Sequence, residues 1–207
     1  METRKLTVIS AGLSQPSSTR MLADKLAAAT LARLEDEYTV DVVTVELKDF
    51  AHDIVNNMLT GFPSPKLEEV IASVETSDGL IAVSPIFTTS YSGLFKSFFD
   101  VVDNKALTDL PVLIGATAGT PRHSLALDYA MRPVFNYLHA VVVPTGVFAA
   151  TGDWGDSGDK VRSLPERIDR GAGELAELMK ASERSHTVRD PFALDTSLSP
   201  VGGFQPS

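Results

Sequence analysis

The chain of 207 residues contains no cysteine. Disulfides, thiolate metal centres and cysteine nucleophiles are thereby excluded. No apolar run reaches the roughly 20 residues that a membrane-crossing helix needs. The opening "METRKLTVIS" lacks the apolar segment and cleavage pattern of a signal peptide. Basic residues are in deficit, 18 Lys and Arg against 27 Asp and Glu, for a formal net charge of −9. That balance argues against nucleic-acid binding, which uses a basic face. The four histidines are scattered without metal-ligand spacing. Three familiar site motifs are missing as well: the dinucleotide loop GxGxxG, the phosphate loop GxxxxGK and the nucleophile elbow GxSxG. These absences leave a cytoplasmic protein with no membrane and no nucleic-acid partner as the expectation.

What is present is an alternation of short β-branched runs with longer helical patterns. Strands are predicted at "KLTVIS" (5–10), "YTVDVVTVEL" (38–47), "GLIAVSP" (79–85), "PVLIGATAG" (111–119) and "AVVVPTGVFA" (140–149). Leu22, Leu26, Ala29 and Leu34 recur at helical spacing and predict a helix over 18–35. Further helices are predicted at 64–77, at 92–102 behind Ser92, and at 123–138, where Pro133 should remove the partner of the Tyr129 carbonyl. The last helix, 163–182, opens on a capping box of Ser163 and Glu166, with Val161, Leu164, Ile168, Leu175 and Leu178 as its apolar face. The stretch 49–62 has no clean period and reads as irregular. Five strands in βα alternation predict an α/β fold: a doubly wound, five-stranded parallel sheet of flavodoxin-like order 2-1-3-4-5, with helices on both faces. One domain over 1–185 and an extended or disordered arm over 186–207 complete the expected organisation.

In such sheets ligands bind at the carboxyl ends of the strands. Three strand ends are unusual here. The first carries "SAGLSQPSSTR", a hydroxyl-rich entry to a helix whose free N–H groups suit an anion. Ser17 fits an ordinary N-cap equally well. The second, "SPIFTTSYSG", offers Pro85, Ile86 and Phe87 as a wall for a flat ring, or simply a proline turn with Phe87 in the core. The third, "ATAGTPRH", is rich in small residues that allow close backbone approach. A mononucleotide phosphate, with FMN as the candidate for this fold, accounts for all three together.

On these segments the chain resembles the NADPH-dependent FMN reductases of the flavodoxin-like superfamily, and within them the flavin reductase components of two-component monooxygenase systems. "SPIFTTSYSGLFKSFFD" and "ATAGTPRHSLALDYAMRPVFNYL" carry the resemblance most specifically. It implies hydride transfer from NADPH to FMN and delivery of reduced flavin to a partner monooxygenase. It also implies that Ser14, Ser17, Ser18 and Thr19 hold the phosphate, with Leu13 among the cofactor-binding residues. Pro85, Ile86, Phe87 and Thr88 would border the isoalloxazine, with Thr117, Ala118 and Gly119 on its other side. The chain departs from the family in lacking an arginine within "SQPSS"; Arg20 follows it. The alternatives are a quinone or azo reductase, and a non-enzymatic flavodoxin-like electron carrier.

Arg122 stands at the mouth of the expected site and suits the 2′-phosphate of NADPH, or is a solvated loop residue. His123 reads as a helix-start residue. Phe95, Phe98 and Phe99 fit the core or a subunit interface, and a homodimer or homotetramer built partly on helix 92–103 is expected.

Overall fold

In the computed structural model, which describes residues 1–155, 163–182 and 184, strand β1 (Glu2–Ser10) lies at the heart of a sheet. It pairs in parallel with β2 (Tyr38–Glu46) on one side and β3 (Gly79–Phe87) on the other. β3 pairs in turn with β5 (Pro111–Ala118). The near-continuous apolar runs of β3 and β5 are explained by burial on both faces, the signature of central parallel strands. β2 is the edge strand, and its side chains are mostly exposed or half-buried.

Among the described residues the sheet has seven strands, five along the path β2-β1-β3-β5-β6 (β6 being Val141–Val142) and two beside it, so the expected five strands in order 2-1-3-4-5 need correction. Two local features make the difference. The predicted fifth strand is divided at Pro144 into β6 (Val141–Val142) and β7 (Val147–Ala150), both parallel to β5. Pro144 has no N–H to continue a ladder. The groups around it are satisfied from the side instead. Arg132 donates to the carbonyls of Val143 and Pro144 at 3.0 and 3.1 Å, and the Glu174 carboxylate accepts the Thr145 N–H at 2.7 Å and its hydroxyl at 2.8 Å. The other addition is β4 (Ser90–Tyr91), which folds back antiparallel on the end of β3.

Helices cover both faces. On one side lie α1 (Ser18–Leu31) and α6 (Leu164–Lys180), packed on each other and on the sheet. Gly171 allows this: a Cβ there would approach Leu113 Cδ1 to 3.0 Å. The Ser163–Glu166 capping box is formed, with the Ser163 N–H on Glu166 Oε2 at 2.7 Å. Leu164, Ile168 and Leu175 are buried as expected, whereas Val161 lies outside the described residues. On the other side lie α2 (Ala51–Thr60), α3 (Pro65–Glu75), α4 (Gly93–Val101) and α5 (Arg132–Tyr137). α2, with a 3₁₀ turn at Leu47–Phe50 before it, occupies the stretch expected to be irregular. It buries Ile54 and Asn57 while exposing Val55, Met58 and Leu59, so apolar residues on both faces mask its period. α5 is preceded by a π-helical turn, Leu127–Met131, in which the Arg132 N–H reaches back to Leu127 O. The interruption that Pro133 imposes thus takes the form of a wider turn.

Phe95, Phe98 and Phe99 are buried inside the subunit, with Phe99 tilted against Phe95 and edge-on to Phe135 at ring separations of 4.9 and 5.0 Å. They belong to the core, not to an interface between subunits. Among the described residues no helix is long and apolar enough to cross a membrane. The arm expected over 186–207 lies outside the described residues.

Candidate functional site

All three unusual loops leave the carboxyl edge of the sheet and meet around one cavity of about 420 Å³, a size typical of small-molecule sites. Leu13, Ser14, Ser18 and Thr19 line it from the β1–α1 loop; Pro85, Ile86 and Phe87 from β3; Thr117, Ala118 and Gly119 from β5. Of the expected residues only Ser17, Thr88 and Arg122 are outside the lining. Thr151 and Trp154, from the 3₁₀ turn after β7, complete it. Sequence reasoning missed these two because it weighed three strand ends and not the fourth.

The first loop divides its hydroxyls between structure and site. Ser17 is buried and caps α1, accepting the Arg20 N–H at 3.2 Å. It leaves no room for a side chain at Gly12, whose Cβ would sit 2.1 Å from Ser17 Oγ. Thr19 is buried too, and its hydroxyl shares a 2.8 Å hydrogen bond with Thr117, tying the first loop to β5. Ser14 and Ser18 are exposed to the cavity, Ser14 donating to Pro16 O at 3.1 Å. At the end of β1, outside the cavity lining, Ser10 Oγ is buried with no hydrogen-bond partner among the described residues. The start of α1 therefore offers free N–H groups and the accessible hydroxyls of Ser14 and Ser18, a donor set suited to an anion.

Arg20 does not face the cavity. Its guanidinium binds Asp24 at 2.7 Å and Glu46 at 3.1 Å. The Asp24 hydrogen bond leads in holding the Arg20 pKa above its ordinary value. The Glu46 carboxyl is held low, chiefly by Lys48 and further by Arg20. The chain's departure from the family motif is thus not repaired by the next arginine.

The second loop ends in a hairpin whose two tip residues, Thr88 and Thr89, have φ of +46° and +73°. β-branched residues rarely adopt this left-handed conformation. The hairpin holds Phe87 at 47% exposure on the cavity wall. On the opposite wall Gly119 faces open space, with nothing within 4 Å of a Cβ placed there. Arg122 is exposed on the 3₁₀ turn Pro121–His123, its N–H on Thr120 Oγ1.

A slot lined by hydroxyls at a helix start and by apolar side chains is what a phosphorylated flat ring requires. The model of NADPH-dependent FMN reductases matches residues 4–155. The chain belongs to that family. It is 34% identical over 174 residues to the "FMN reductase (NADPH)" of Pseudomonas aeruginosa, covering 84% of this chain and 91% of the relative. An oxidoreductase of Corynebacterium diphtheriae superposes with a TM-score of 0.83 at 49% identity, over 88% of this chain and all of the other. The NADH:FMN oxidoreductase EMOB superposes with a TM-score of 0.71 at 27% identity, over 86% and 89%. A WrbA-like flavodoxin protein of Agrobacterium tumefaciens, at 14% identity and a TM-score of 0.52, shares the fold alone over 87% of this chain and 97% of its own. The fold of this reductase is flavodoxin-like.

Proposed function

We infer that FMN binds in this cavity and that the protein is an NAD(P)H-dependent FMN reductase acting there. The observation that carries the reading is the convergence of three loops, distant in sequence, on one slot lined by the hydroxyls of Ser14 and Ser18 and by Pro85, Ile86 and Phe87. The phosphate is met by the first turn of α1 and by Ser14 and Ser18. The ring is bordered by Pro85, Ile86 and Phe87 on one side and by Thr117, Ala118 and Gly119 on the other. When bound, the flavin supplies the redox chemistry by taking a hydride from a reduced nicotinamide. The described lining contains no ionisable side chain, so the protein's part is to position the ring and exclude water rather than to shuttle protons. Thr19 and Thr117 hold the two halves of the slot in register through their shared hydrogen bond.

Steady-state oxidation of NADPH with and without added FMN tests this. Turnover that rises with FMN supports a reductase. Stoichiometric binding of FMN without NADPH oxidation would identify an electron carrier, and acceleration only by a quinone or azo compound would make that acceptor the substrate.

Reduced FMN passes to a flavin-dependent monooxygenase partner, and Arg122 reads the 2′-phosphate of NADPH. The protein works in the cytoplasm, where reduced nicotinamide is available. It forms a homodimer or homotetramer. The side chains to be covered by another copy are not the buried phenylalanines. They are Val55, Met58, Leu59 and Phe62, at helical spacing along α2 and just past it.

A further inference from the structure

A second cavity, of about 530 Å³, lies between α1 and α6. Its walls are apolar: Met21, Ala28 and Ala29 from α1, and Leu164, Pro165 and Ile168 from α6. It adjoins the flavin cavity, because Trp154 lines both. Trp154 is the chain's only tryptophan and is half-buried, so one indole forms a wall shared by the two cavities. The groove also follows α1 from the end where an anion is expected: Ser18 and Thr19 line the first cavity, Met21 and Lys25 the second.

Among the described residues, the charges around this groove favour an anionic ligand despite the acidic chain. The two carboxylates that line it there are already engaged. Asp153 accepts the Ala150 N–H at 2.8 Å and the Arg167 guanidinium at 2.7 Å, and Asp169 is paired with Arg33. Lys25 has no ion pair among the described residues. An apolar slot with an indole wall and one uncommitted ammonium suits a flat heteroaromatic base carrying phosphate.

We propose that the α1–α6 groove is an adenylate subsite, which takes the adenosine-phosphate half of a dinucleotide whose other half occupies the flavin cavity. The proposal rests on the flavin reading of that first cavity. The base stacks against Trp154 and fills the groove over Ala28 and Ile168, and Lys25 meets a phosphate. Two molecules carry this half: FAD, whose adenylate continues from the flavin phosphate, and NAD(P)H, whose nicotinamide must reach the ring.

The single tryptophan gives a direct readout. Titration of the purified protein with ADP alone, without flavin or nicotinamide, should quench Trp154 fluorescence saturably. Lys25→Glu should weaken that response about tenfold, as expected for loss of a charged hydrogen bond, and Ala28→Phe, on an exposed face of α1, should abolish it by filling the groove. FMN reduction with reduced nicotinamide mononucleotide should persist in both variants. A selective loss of FAD affinity against FMN assigns the subsite to the flavin. A selective rise in KM for NAD(P)H against reduced nicotinamide mononucleotide assigns it to the donor. Either result supports the subsite. Absence of ADP quenching, together with unchanged FAD/FMN and NAD(P)H/mononucleotide ratios in both variants, would overturn it. Failure of the wild type to reduce FMN with any donor would count against the flavin reading instead, and ADP quenching would register independently of that.

Discussion

At the scale of single residues, the hydroxyl cluster at the start of α1 separates into two kinds. Ser17 is a cap and Thr19 a strut, whereas Ser14 and Ser18 face the cavity. Ser14→Ala combined with Ser18→Ala should therefore weaken FMN binding by about 1.5–3 kcal/mol per lost bond to phosphate, with the melting temperature nearly unchanged. Ser17→Ala should instead cost about 1 kcal/mol of stability, the usual worth of an N-cap. Calorimetry of FMN binding beside thermal melts separates the two effects, and a double Ser14/Ser18 variant with wild-type FMN affinity refutes the phosphate assignment. Arg122 is exposed on its turn, outside the cavity lining. Arg122→Ala should raise the KM for NADPH about tenfold to a hundredfold and leave NADH almost unaffected, because the two differ only in the 2′-phosphate. Equal losses for both cofactors would remove Arg122 from that role.

At the scale of elements, the β3–β4 hairpin is strained where it borders the cavity. A two-residue turn with both φ positive favours Asn-Gly, and this chain places Thr88 and Thr89 there. Thr88→Asn with Thr89→Gly should stabilise the fold by about 1 kcal/mol, a rise of about 2–4 °C in melting temperature for a domain of this size. An unchanged or lower melting temperature would show that the turn is not strained. A second element depends on a carboxylate. The break between β6 and β7 is closed by Glu174, which accepts from Thr145 and Arg170. Burial alone would push the Glu174 carboxyl up, but these hydrogen bonds together bring it below its ordinary value of 4.5. Its stabilisation is therefore complete above that value and is lost as pH falls through the lower folded value. Glu174→Gln should be less stable than wild type at pH 7 by about 1–2 kcal/mol, and the gap should close in acid. Urea melts at pH 7 and pH 3 measure it; a constant gap would sever the link to ionisation.

At the scale of the whole molecule, the two faces of the sheet are covered unequally. α1 and α6 pack tightly on one side. On the other, α2 leaves Leu59 at 80% exposure and, beyond its end, Phe62 at 78%, beside Val55 and Met58. Four such side chains expose on the order of a few hundred Å² of apolar surface, at the upper end of what monomers leave bare. Sedimentation at micromolar concentration should show an oligomer for the wild type. Leu59→Asp with Phe62→Ser should shift it toward monomer with circular dichroism intact. A monomeric wild type would make this stripe an ordinary surface.

The order of strands and helices was readable because buried parallel strands write themselves as β-branched runs, and capped helices as Ser-x-x-Glu or Ser before an apolar stripe. The convergence of the loops was legible for a related reason: strand ends in such a sheet share one edge, so segments far apart in sequence, around 13–19, 85–87 and 117–119, come together around one cavity. Three things needed the tertiary structure. The split of the last strand depends on Arg132 and Glu174 arriving from other elements to satisfy the groups around Pro144. The helix at 51–60 has apolar residues on both faces, and only packing decides that Ile54 turns inward and Leu59 outward. The division of labour among Ser14, Ser17, Ser18 and Thr19 depends on the backbone direction at the entry of α1 and on Thr117 arriving from β5. Composition and spacing determine which residues come to the edge of the sheet; only the folded chain determines which of their hydroxyls are already engaged and which remain for a ligand.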